Sequence, residues 1–99
     1  MKYKLSFLPK ALKEWKKLDR TIAEQFKKKL AQRLENPKIE KDKLRGFDNV
    51  YKIKLKSAGY RLAYQVKEEE ITIVVLVVGV REKEKVYTML QQRFEDKKD

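Results

Sequence analysis

Tyr51-Lys52-Ile53-Lys54-Leu55-Lys56-Ser57-Ala58-Gly59-Tyr60-Arg61-Leu62-Ala63-Tyr64 alternates apolar and polar residues on both sides of a single glycine, and its reading decides the fold. Period-two alternation marks a strand with one buried face, and Ala58-Gly59 between two such runs predicts a hairpin with a two-residue turn. In that register Leu55 faces Leu62 and Ile53 faces Tyr64 on the core side. The other side collects Lys52, Lys54, Lys56 and Arg61, with Lys54 opposite the small Ala63 and Arg61 opposite Lys56 and diagonal to Lys54. Like charges gathered on a sheet cost stability, so this face reads as a cationic floor for an anion that comes and goes, an RNA phosphate above all.

Around the hairpin, periodicity supplies the remaining elements. Lys2 to Phe7 alternates as a strand, with Tyr3, Leu5 and Phe7 on one side. Pro9 suits a first helical turn, and Leu8, Ala11, Leu12, Trp15 and Leu18 then recur at helical spacing, opposed by Lys10, Lys13, Glu14, Lys16 and Lys17. Thr21-Ile22-Ala23-Glu24 has the form of a capping box, opening a second helix with an Ile22, Phe26, Leu30 and Leu34 stripe that Asn36-Pro37 closes. The two helices are expected to form an αα-hairpin. Ile71 to Val78 is apolar on both faces, which predicts a central strand covered above and below. A last helix over 83–94 carries Val86, Leu90 and Phe94, and 96–99 reads as a frayed polar tail. The order β-α-α-β-β-β-α predicts one α+β domain over 1–99, with a small, mostly antiparallel four-stranded sheet.

Composition bounds the partners. The 99 residues hold 26 Lys plus Arg against 15 Asp plus Glu, a net charge of +11 that favours a polyanion. Cysteine is absent, so there is no disulfide framework, in keeping with a reducing cytoplasm, and histidine is absent too. No apolar h-region follows the N-terminus, and the longest apolar run, Ile71 to Val80, is about half the ~20 residues of a membrane helix. The glutamates at 68–70 lack histidine partners or repeated acidic spacing, so no metal site is expected.

Further stretches complete a recognisable set: Ala11-Leu12-Lys13-Glu14-Trp15-Lys16-Lys17-Leu18, Lys43-Leu44-Arg45-Gly46, Tyr51 to Leu55, Gly59 to Leu62 with Tyr64-Gln65-Val66, and Val78-Gly79-Val80-Arg81-Glu82 followed by Val86-Tyr87. Together they resemble the RelE family of bacterial toxins from toxin–antitoxin pairs, over nearly the whole chain. The resemblance implies a RelE/ParE-like fold and an endonuclease that enters the ribosomal A site of the 30S subunit and cuts messenger RNA there. It also implies neutralisation by a RelB-like antitoxin, joint repression of their operon with operator DNA met only through that complex, and no cofactor. Lys52 and Lys54 match the family's paired strand lysines, Arg61 the arginine on the neighbouring strand, Arg81 the arginine ending the central strand, and Tyr87 the tyrosine of the terminal helix. Arg45 matches a basic residue at the rim, and Lys56 extends the RNA-binding face.

The chemistry these residues can perform follows from their types. Cleavage by the RNA's own 2′-hydroxyl needs a base, stabilisation of extra negative charge on phosphorus, and a proton for the leaving 5′-oxygen. With no histidine, Lys54 is the candidate base, since neighbouring cations disfavour its charged form, while Lys52 supports it and contacts phosphate. Arg61 suits bidentate contact with phosphate oxygens. Arg81 is a poor acid and acts mainly through its charge, and Tyr87 stacks on a splayed base or orients the 2′-hydroxyl. So weak an acid–base set implies that the ribosome supplies substrate geometry. Simpler readings stand beside these: a lysine-rich strand face is commonly just solvated, Tyr51, Tyr60 and Tyr64 read as packing, and Gly79 reads as relief of crowding at a strand end. Two other functions stay open on this scaffold, a non-catalytic poison like the gyrase-trapping ParE branch and a basic RNA-binding inhibitor of translation.

Overall fold

Alternation and helical spacing resolve into six main elements in the computed structural model, which describes residues 2–55, 58–80, 88 and 90–93. These are β1 (Lys4–Phe7), α1 (Pro9–Lys16), α2 (Arg20–Glu35), β2 (Val50–Leu55), β3 (Tyr60–Lys67) and β4 (Thr72–Val80). Short 3-10 turns at Glu40–Asp42 and Glu68–Glu70 precede β2 and β4. The sheet order is β1-β4-β3-β2; β4 pairs parallel with β1 and antiparallel with β3, and β3 pairs antiparallel with β2. The all-apolar strand thus lies inside the sheet, as its composition requires, and the fold is α+β. Residues 88 and 90–93 are helical; the rest of the expected terminal helix and the tail at 96–99 lie outside the described residues.

Each face of β4 belongs to a different apolar cluster. Ile73, Val75 and Val78 join Ala11, Phe26, Leu30, Tyr51, Ile53, Leu62 and Tyr64 on the side of the two helices, where Phe7, Trp15 and Phe26 form a run of ring contacts. Val74, Leu76 and Val77 join Leu44, Val50, Ala63 and Leu90 on the other side. Tyr51 and Tyr64 stack at 5.8 Å, and Tyr60 packs half-buried against the same helix-side cluster, so all three tyrosines serve packing.

Three local expectations are corrected. The hairpin register is shifted by two residues: Leu55 pairs with Tyr60, Lys54 with Arg61, Ile53 with Leu62 and Lys52 with Ala63. A two-residue primed turn needs positive φ at both positions, which Ala58 resists. Instead four residues separate Leu55 at the end of β2 from Tyr60 at the start of β3, and Gly59, at φ 69°, donates its N–H to Leu55 O at 2.9 Å. An even shift keeps every side chain on its expected face while changing its partner. The capping box does not form, because α2 begins at Arg20 with Asp19 as N-cap and no side-chain cap bond, leaving Thr21 inside the first turn. Glu14, expected on a solvated face, is half-buried and paired with Arg93.

Candidate active site

Three strands set the cationic floor. On the sheet face turned away from α1 and α2, β2 supplies Lys52 and Lys54, β3 supplies Arg61, and β4 supplies Gly79. The register makes Lys54, Arg61 and Gly79 one row across the sheet, with strands about 4.8 Å apart. Lys54 and Arg61 are therefore direct cross-strand partners, closer than the diagonal expected from sequence, and it is Lys52 that faces the small Ala63. Placing two cations directly opposite is unfavourable in itself. Arg61 Nε is buried and has no hydrogen-bond partner, so what Arg61 offers an anion it offers through its Nη end.

The remaining candidates are distributed differently. Arg45 is exposed in the turn before Val50, where Leu44 N–H donates to Val50 O at 2.8 Å. That puts it at the far end of β2, about 13 Å along the strand from Lys54, as a rim residue and not part of the row. Lys56, Arg81 and Tyr87 lie outside the described residues. No group of three or more Asp or Glu side chains that could hold a metal occurs among the described residues.

Beneath the floor, two networks that periodicity does not reveal fix the strands. On the helix side, Arg33 of α2 donates to Tyr64 Oη at 2.8 Å and to Asp42 Oδ2 at 2.6 Å, with a longer 3.5 Å contact to Lys52 O. Tyr64 donates in turn to Pro37 O at 2.7 Å, tying β3, α2 and the connection before β2 together under the lysine strand. Burial pushes the Tyr64 phenol above its ordinary 10.0, with the Arg33 bond pulling partly the other way.

The second network closes a bulge. Between Ala63 and Tyr64 the β3–β4 register skips, so Leu76 and Val77 both turn to the second apolar cluster. Past Val75, where β1 has ended, backbone groups of β4 need other partners. Arg93 donates to Leu76 O at 2.6 Å, and Val78 N–H donates to Glu14 Oε1 at 3.0 Å. The two side chains complete the arrangement with a bidentate pair at 2.9 and 2.8 Å, and Arg93 is only 7% exposed. The available signal was spacing: Leu90 and Arg93 are three apart, so they share a helix face.

The bulge also orients the end of β4. It returns Val78 to the helix side and brings Gly79 into register with Arg61 on the cationic face.

Comparison with known proteins places this architecture. Residues 5–84 match the family of the ParE toxin of the type II toxin–antitoxin system parDE. The chain is 53% identical over 93 residues to the mRNA interferase toxin RelE of Escherichia coli K12, covering 94% of this chain and 98% of that protein. It is 48% identical to a putative RelE-like toxin protein of Escherichia coli with the same coverage. Among solved structures, a doubly substituted E. coli RelE toxin in the free state superposes with a TM-score of 0.87 at 52% identity, covering 94% of this chain and 98% of the other. A chain of the intact E. coli RelBE toxin–antitoxin complex superposes at 0.79 with 54% identity, covering 82% and 99% respectively. The chain belongs to the RelE branch of this toxin family.

Proposed function

We propose that the chain is an endoribonuclease toxin that cuts messenger RNA in the ribosomal A site by attack of a 2′-hydroxyl on the adjacent phosphate, and so inhibits translation. The supporting observation is the cross-strand Lys54–Arg61 pair, beside Lys52, in a chain so similar to an mRNA interferase. Lys54 takes the 2′-hydroxyl proton, Lys52 and Arg61 hold the phosphate and its growing charge, and Arg81 and Tyr87 act at the leaving oxygen and the base. Arg45 and Lys56 contribute phosphate contacts at the rim. No metal or cofactor takes part. The similarity to ParE is at the level of the family, whereas the RelE relatives match over almost their whole length, which favours cutting over gyrase poisoning.

The partners follow the same reading. A RelB-like antitoxin neutralises the toxin, and the two together repress their operon, with operator DNA met through the complex. Leu5, 40% exposed, lines a shallow apolar groove with Phe7, Trp15, Leu30 and Leu34, which with a net charge of +11 suits an acidic, amphipathic chain. The site of action is the cytoplasm. Among the described residues no helix is long and apolar enough to cross a membrane.

The test is to incubate the protein with ribosomes holding messenger and an empty A site, then map both new ends. Expected are rapid cleavage with 5′-hydroxyl and 2′,3′-cyclic phosphate ends, unaffected by chelators, and slow or no cleavage of naked RNA. Ends bearing 5′-phosphate would exclude the mechanism. Arrested translation with intact messenger would make the chain a binding inhibitor.

A further inference from the structure

Gly79 interrupts a strand otherwise built for β-structure. Ile73, Val74, Val75, Leu76, Val77 and Val78 precede it and Val80 follows, all residues that favour a packed strand. A glycine inside a strand costs about 0.5–1 kcal/mol relative to alanine. Two ordinary reasons would justify that cost, and neither applies. Its φ is not in the left-handed region, where Gly46 and Gly59 lie. A Cβ built on it would meet nothing within 4 Å among the described residues, so their packing does not demand its absence either. The bulge does not demand it: register runs unbroken from Leu62–Val78 through Arg61–Gly79 to Tyr60–Val80. With no demand from the described residues, what remains is close approach by a group that is not part of the sheet.

The position says which group. Arg61 has Lys54 on one flank and the bare Gly79 backbone on the other, so the row offers two cations and then a flat shelf one strand wide. An anion held by Arg61 and Lys54 has its attached atoms over that shelf. The geometry points to Gly79 as a substrate-contact residue: the nucleotide adjoining the phosphate held by Arg61 lies in van der Waals contact with the β4 backbone at Gly79. The inference rests on the endoribonuclease reading and adds a steric element to it. Its basis is shape, whereas the cations act through charge. Side-chain bulk at this position lifts the nucleotide off the sheet and moves the phosphate out of line with Lys54, and misplacement by about 1 Å can cost on the order of a hundredfold in rate.

The test compares Gly79→Ala and Gly79→Val with the parent on ribosomes programmed with messenger and an empty A site, with toxin in excess so that the saturated single-turnover rate is read. Melting temperature and the salt dependence of ribosome binding are measured alongside. Expected are unchanged or higher melting temperatures, unchanged salt slopes, and saturated rates falling roughly tenfold for alanine and a hundredfold or more for valine. A folded Gly79→Val variant that cuts at the parental rate would overturn the inference while leaving the nuclease reading intact. Lowered melting temperatures in both variants would show that Gly79 serves the fold, which overturns it equally. A parent that does not cut messenger defeats the underlying reading instead, and with it the inference.

Discussion

The sheet face turned away from the two helices is built in opposite ways at its two ends. At one end Leu44, Val50, Ala63, Val74, Leu76, Val77 and Leu90 close an apolar cluster, and the charges bordering it are satisfied: Glu14 and Arg93 bond each other and the two backbone groups beside the bulge. At the other end Lys54 faces Arg61, Arg61 Nε is buried without a partner, and Gly79 adds no side chain at all. Where charge serves the fold, the carboxylate and guanidinium are bonded to each other and to the backbone. Where like charges face each other and Arg61 Nε is buried without a hydrogen bond, the fold gains little from the arrangement, and a ligand is the economical reason for it.

The largest effect expected from that contrast is catalytic. Lys54→Ala and Arg61→Ala should each slow single-turnover cleavage by roughly a hundredfold or more, the scale of losing a proton-transfer or charge-stabilising group. Ribosome binding should weaken only modestly, since 26 basic residues share the electrostatic attraction. If either variant lost ribosome binding before any change in rate, the cationic end would be a docking surface and the contrast between the two ends would fail.

The opposite end should respond in stability. Glu14→Ala or Arg93→Ala leaves a charge in a site where the side chains are only 23% and 8% exposed, and strands Val78 N–H or Leu76 O beside it. A loss of about 3 kcal/mol is expected in urea unfolding, the lower end of the range for breaking a buried pair, because Glu14 is not fully enclosed. The double variant should cost less than the sum of the singles, since the second removal no longer orphans a charge. Strict additivity would mean that the two side chains act separately and that the bulge is held by something else.

How much of this was legible depends on whether the signal is local. Alternation placed β2, β3 and the interior β4, and the Lys52, Lys54 and Arg61 face followed from parity alone, which an even register shift cannot disturb. The partner of Lys54 was misread because it depends on loop length: Ala58-Gly59 looks like a two-residue turn, but Ala58 resists the positive φ such a turn needs and the strands close over a longer connection. Glu14 looked like one more charge on a lysine-rich helix. Its role depends on a bulge at Leu76 and on Arg93, 79 residues away in sequence, and no periodicity encodes either. Arg33 was invisible for the same reason: its partners Asp42 and Tyr64, and the Pro37 carbonyl that Tyr64 bonds in turn, converge only in three dimensions.

A smaller effect should come from the helix side. Tyr64→Phe removes the hydroxyl that joins Arg33 to Pro37 O and should cost about 1–2 kcal/mol at neutral pH. Its alkaline behaviour carries a sign. Burial raises the Tyr64 phenol above 10.0 in the folded protein, so the folded state keeps a proton that the unfolded chain loses. The associated stability is complete below that value and declines as pH rises through it toward the folded one. Tyr64→Phe should therefore flatten, without abolishing, the alkaline decline, because burial and the Glu40 charge raise Tyr51 as well. An unchanged alkaline slope in the variant would show that Tyr64 does not titrate differently in the two states.

The smallest effect should belong to the helix lysines, and it marks the boundary of the cationic end. Lys13 and Lys28 are exposed on α1 and α2, the elements covering the opposite sheet face. They add to the net charge of +11 and so to long-range attraction, but they lie on the other layer of the fold from Lys54 and Arg61. Lys13→Ala and Lys28→Ala should leave the saturated cleavage rate unchanged. If either lysine neutralises a ribosomal RNA phosphate, its removal should reduce the slope of log affinity against log salt by about one. A rate defect matching that of Arg61→Ala would mean that charge anywhere on the surface suffices. The Lys54–Arg61–Gly79 row would then have no special standing, whereas a change confined to the salt slope limits the chemistry to that row and its neighbours.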